Sequence, residues 1–84
     1  MIGEDYELEK REMKLRRMMV GGDSQFVGKT LEESGIRHLF NCMVVGLEEG
    51  KENLSQVSPS YRFSKGDILW IVGEADDLDR IISS

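Results

Sequence analysis

Apolar positions concentrate in two short runs of the 84-residue chain, with sparser patterns around them. Cys42-Met43-Val44-Val45-Gly46-Leu47 and Ile68-Leu69-Trp70-Ile71-Val72 are continuous apolar stretches of strand length, each bounded by turn residues. The first closes at Glu48-Glu49-Gly50-Lys51, where Gly50 can supply the positive φ of a hairpin turn, and residues 54–57 read as a weak, polar return strand. The second is entered through the turn Ser64-Lys65-Gly66-Asp67. After it, Leu78, Ile81 and Ile82 recur at helical spacing, and Asp76 and Asp77 suit the positive N-terminal end of a helix. A shorter helix is predicted across residues 29–34, ended by Gly35 in a left-handed turn. Residues 4 to about 14 are charged good helix formers with few apolar positions, which predicts a lead-in helix or connector; residues 15–20 either continue it or form a first strand. The chain thus divides into a connector, 1–14, and a domain, 15–84. The expected fold is α+β, roughly β-α-β-β-β-α, with a small, mainly antiparallel sheet, because turns this short join antiparallel neighbours.

Neither apolar run alternates, as a strand with one face in water would. Two short helices can cover only one face of a sheet, so a second copy of the chain is the expected cover for the rest. Size points the same way. A domain this small has a marginal core, and its usual supplements are disulfides, a metal or oligomerisation. Cys42 and His38 are the only residues of their types, too few for a disulfide or a structural zinc site. That leaves a homodimer.

The net charge of −5 argues against a nucleic-acid partner. Six acidic and six basic residues fall in residues 1–30, against ten and five in the remainder, and the one basic stretch is Lys10 to Arg17. Glu7/Arg11 and Glu12/Arg16 stand at i,i+4, so this stretch reads as a solvated helix face. No apolar run is long enough to span a bilayer and the first residues do not resemble a signal peptide, so this stretch of chain is expected to be soluble.

Catalytic chemistry finds no support in the pattern. Gly28-Lys29-Thr30 suggests a phosphate loop, but five residues separate Gly22 from Gly28 where four are required. Cys42 opens an apolar strand, where burial raises a thiol's pKa and leaves it inert. Asp76, Asp77 and Asp79 lie on a predicted helix rather than on a loop able to wrap an ion. The expectation is no enzyme, no metal and no cofactor.

The ordered set Phe26-Val27-Gly28-Lys29-Thr30-Leu31-Glu32-Glu33-Ser34-Gly35-Ile36-Arg37, the apolar strand with its Gly50 turn, Pro59, and Phe63-Ser64-Lys65-Gly66-Asp67-Ile68-Leu69-Trp70-Ile71-Val72-Gly73 resembles the TrkA C-terminal (RCK C-terminal) domain family. The resemblance runs from about Leu15 to Ile82. It implies a homodimerising, ligand-sensing cytoplasmic domain, attached to the membrane part of a potassium channel, a potassium uptake system or a cation/proton antiporter. Some relatives bind cyclic di-AMP between two copies. Carried to this chain, the ligand-binding residues implied are Ile36, Arg37, Met43, Val44 and Pro59. Met43 stands where an amide side chain is expected, and Glu48-Glu49 where relatives are often basic. The alternative is a structural dimerisation module without a ligand, with Arg37 paired to Glu33 at i,i+4.

Overall fold

The computed structural model describes residues 2–7, 12–50 and 53–84. Seven elements follow in order: β1 (Ile2–Glu7), β2 (Met13–Met19), α1 (Leu31–Ser34), β3 (Met43–Glu49), β4 (Asn53–Ser55), β5 (Ile68–Glu74) and α2 (Ala75–Ile82). The strands form one sheet in the order β1-β2-β5-β3-β4, antiparallel at every junction.

The buried core lies on the face that carries α2. Met18 and Val20 from the β2 segment, Leu69 and Ile71 from β5, and Leu47 from β3 meet Leu78 and Ile81 of α2 and the loop residues Phe26, Ile36 and Phe63. The period of two decides which strand residues enter this core: Met18 pairs with Leu69, Arg16 with Ile71, and Leu47 with Leu69 on the other side. On α2, Leu78 and Ile81 are buried and Ile82 packs against the core, the stripe expected from their spacing.

Several sequence expectations hold in detail. Gly35 ends α1 in the left-handed conformation and Gly50 turns the β3–β4 connection, both at φ 74°. Thr30 is the N-cap of α1 and forms a capping box with Glu33: the Glu33 amide donates to Thr30 Oγ1 (3.1 Å) and the Thr30 amide to Glu33 Oε1 (2.9 Å). Residues Gly28 to Thr30 therefore form a turn and a helix cap, with Lys29 exposed.

Three expectations are corrected. The N-terminal segment is not a lead-in helix where it is described: Ile2–Glu7 is a strand, paired with β2 from Ile2↔Met19 to Glu7↔Lys14. Helix-forming charge was outweighed by an open sheet edge, which offers six residues a full ladder. Residues 8–11 lie outside the described residues. Second, Arg16 does not sit on a solvated helix face; it is 5% exposed, and its partners are Asp5 and Asp79 rather than Glu12. The Glu7/Arg11 pair lies outside what is described. Third, β5 alternates more than its composition suggests: Leu69, Ile71 and Gly73 are buried, whereas Ile68, Trp70 and Val72 on the opposite face are half-buried. Trp70 owes this partly to its neighbours. Its Nε1 donates to Glu48 Oε1 (3.1 Å), and Glu48 accepts a bidentate pair from Arg17 (2.8 and 2.9 Å), so a polar bridge crosses β2, β5 and β3.

Candidate functional site

The site begins with the short helix. The capping box starts α1, and Gly35 reverses the chain so that Ile36 turns into the core while Arg37 and His38 stay exposed. The Cys42 amide then donates to the Ile36 carbonyl (3.0 Å), closing this loop onto the start of β3. From the other side, the Glu32 amide donates to the Pro59 carbonyl (3.1 Å) and the Leu31 amide to the Tyr61 carbonyl (3.0 Å), which ties the 57–61 loop against α1.

Between these segments lies an open cavity of about 520 Å³ lined by Leu31, Glu32, Ile36, Arg37, His38, Cys42, Met43, Val44, Val57 and Pro59. All five residues that the sequence singled out, Ile36, Arg37, Met43, Val44 and Pro59, are among them. The lining combines an apolar floor with a guanidinium, an imidazole and one carboxylate at the rim. Arg37 is exposed and has no hydrogen-bond or ion-pair partner among the described residues. Glu33, the alternative partner, is engaged by the Thr30 amide and by Arg62 at 3.6 Å. The Thr30 contacts, then Arg62 and Lys29, hold the Glu33 carboxyl below its ordinary range. A smaller cavity of about 170 Å³, lined by Met13, Arg37, Asn41, Cys42, Met43 and Val72, shares Arg37, Cys42 and Met43 with the first. Met43 is 57% exposed and stands between the two.

The sequence reading missed Leu31, Glu32, His38, Cys42 and Val57 as lining residues. Cys42 and Leu31 carry only a core signal in sequence, because one side of each packs inward. Cys42 is a free, buried thiol whose Sγ donates to the Phe40 carbonyl (3.2 Å). Burial first, then the nearby Asp77, pushes its pKa up to about 11, so at neutral pH it contributes surface and not a nucleophile. Among the described residues no group of three or more His, Cys, Asp or Glu is placed to hold a metal ion.

Residues 15–84 match the TrkA-C domain. The chain belongs to this family. Among relatives, the TrkA-C domain is 29% identical over 66 residues to an uncharacterized transporter from Synechocystis sp., covering 79% of this chain and 11% of that protein. It therefore spans about a ninth of the length of that relative. Among solved structures, it superposes on the RCK C domain of the potassium transport protein KtrA in complex with cyclic di-AMP, with a TM-score of 0.72 and 22% identity over 82% of this chain and 79% of the other. That likeness is one of fold. The RCK_C domain dimer of S. agalactiae BusR in complex with cyclic di-AMP is 28% identical, with a TM-score of 0.66 over 80% and 88% of the two chains. The α+β architecture expected from the sequence is thus the architecture of the family.

Proposed function

We propose that this TrkA-C domain is a cytoplasmic, ligand-sensing and dimerising regulatory unit of a membrane cation transport protein, and that it takes a small anionic ligand of the cyclic di-AMP class in the cavity beside α1. The observation that carries this reading is the convergence of Ile36, Arg37, Met43, Val44 and Pro59 on one open cavity, with Arg37 at its rim and without a counter-ion among the described residues. A guanidinium next to an apolar floor suits a ligand with a planar apolar body and a phosphate. The open side of the cavity and the exposed Met43 on its lining support closure by a second copy. In a two-fold dimer each ligand-facing residue appears twice, so paired Arg37 side chains meet a dianion. Glu32 on the rim opposes an anion, and Met43 offers packing without a hydrogen bond, so the affinity rests on Arg37 and on apolar contact. The relatives give the direction: one is a transporter, and two solved RCK C domains hold cyclic di-AMP. No helix among the described residues is long and apolar enough to cross a membrane, so the membrane part in this proposal belongs to a larger parent chain.

Calorimetric titration of the domain with cyclic di-AMP, alongside AMP and ATP, tests the reading. Saturable heat with cyclic di-AMP at one ligand per two chains, lost in Arg37→Ala while the dimer persists, is the expected result. An absence of heat with all three nucleotides leaves the cavity as a dimerisation surface without a ligand.

A further inference from the structure

Among the described residues Arg16 is the one buried charged side chain of the sheet, and it connects three elements. It projects from β2 toward the α2 side, where Nη1 donates to Asp79 Oδ1 of α2 (2.9 Å) and Nε donates to Asp5 Oδ1 of β1. Its side chain is 6% exposed, whereas those of Asp5 and Asp79 are 38% and 66% exposed. The two core-facing positions of β1 next to it are both fitted to this arginine. Asp5 is its pairing neighbour across the ladder and supplies the carboxylate. Gly3 leaves room for its stem: a Cβ at Gly3 would lie 2.9 Å from Arg16 Cδ and 3.0 Å from Cγ. β1 itself lies outside residues 15–84, the part that matches the family.

From this arrangement we infer that β1 is a docked edge strap and that Arg16 relays its docking to α2. A buried guanidinium needs both its charge and its donors satisfied, and while β1 is in place Asp5 and Asp79 do so together. When β1 leaves the edge of β2, water reaches Arg16 and the long side chain regains its freedom. Its pair with Asp79 then becomes a surface contact of little worth. The final turns of α2 lose an anchor at the moment the strap opens. Coupling runs both ways, so removing Asp79 weakens the hold on β1 as well. The strap gives anything joined to the N-terminal side of β1 a physical route to α2. That use of the relay rests on the regulatory reading above, but the relay itself does not.

Amide hydrogen exchange on the 84-residue chain tests it. Asp5→Asn is expected to speed exchange in β1 and also in α2 from Asp79 onward, by about fivefold in α2, the factor that separates a firm pair from a solvated one. Asp79→Asn is expected to speed exchange in β1 in return, and Gly3→Val, which displaces the Arg16 stem without touching either carboxylate, is expected to reproduce both effects. Asp77→Asn, which weakens the separate Arg80 pair of α2, is expected to leave β1 unchanged. Amides of β5 report global unfolding, and any fall in their protection gives the loss of overall stability against which the changes in β1 and α2 are read. If Asp5→Asn releases β1 while α2 exchanges as in the wild type, the strap has no relay and the inference is wrong. No ligand enters this experiment, so its outcome is independent of whether the cavity binds one.

Discussion

Gly35 holds φ 74° at the end of α1, and the site depends on it, since the reversal there sends Ile36 into the core and leaves Arg37 at the rim. An alanine at this position meets two penalties. The left-handed conformation costs a side chain about 1–2 kcal/mol, and a Cβ would lie 2.5 Å from Leu39 Cδ1. Leu39 is exposed and can move aside, so the backbone penalty dominates. Gly35→Ala is therefore expected to lower stability in urea denaturation by about 1–2 kcal/mol, and an unchanged midpoint would show that the loop relaxes freely. This glycine was legible from sequence alone because a short amphipathic helix followed by Gly has few other readings. Arg16 was not. A charge at i,i+4 from a carboxylate looks the same whether the segment is a helix in water or a strand, and only the identity of β1 as a strand places Arg16 under cover.

At the scale of elements, β1 also predicts how the edge of the sheet responds to acid. The hydrogen bond from Arg16 is the main cause that holds the Asp5 carboxyl below its ordinary value of 3.8. A carboxylate whose folded pKa is depressed contributes stability that is present above its unfolded value and lost as pH falls through the folded one. Protection of β1 amides, corrected for intrinsic exchange, is thus expected to be flat above about pH 4 and to fall as the pH drops below it. The Asp5→Asn variant should lack that part of the decline. If wild type and variant decline in parallel, Asp5 does not carry the acid response. The strands β3 and β5 were readable as continuous apolar runs of strand length bounded by turn residues, and the helix α2 because its apolar residues follow the helical period. β4 was readable mainly from the turn before it. β1 has no such pattern: Ile2-Gly3-Glu4-Asp5-Tyr6-Glu7 gains its strand from the edge it meets, and no local signal in a charged hexapeptide announces that edge.

At the scale of the whole molecule, the candidate site was legible through ordered resemblance and not through any single motif. Five positions spread from residue 36 to residue 59 come together only because α1, the start of β3 and the 57–61 loop close on one another. Half-buried Ile68, Trp70 and Val72 show why non-alternating strands overstate the need for an external cover, since neighbouring strands and the Arg17–Glu48–Trp70 bridge already shelter part of that face. A second copy is favoured more by the open cavity and by the exposed Met43 on its lining. A ligand held between two copies must strengthen their association, because it binds the dimer in preference to the monomer. Sedimentation equilibrium with and without cyclic di-AMP measures this linkage directly. The mass is expected to rise from 9.6 kDa to twice that value with concentration, with the transition shifted to lower concentration by the ligand and not shifted in Arg37→Ala. A mass of 9.6 kDa at every concentration, with or without the ligand, would contradict it.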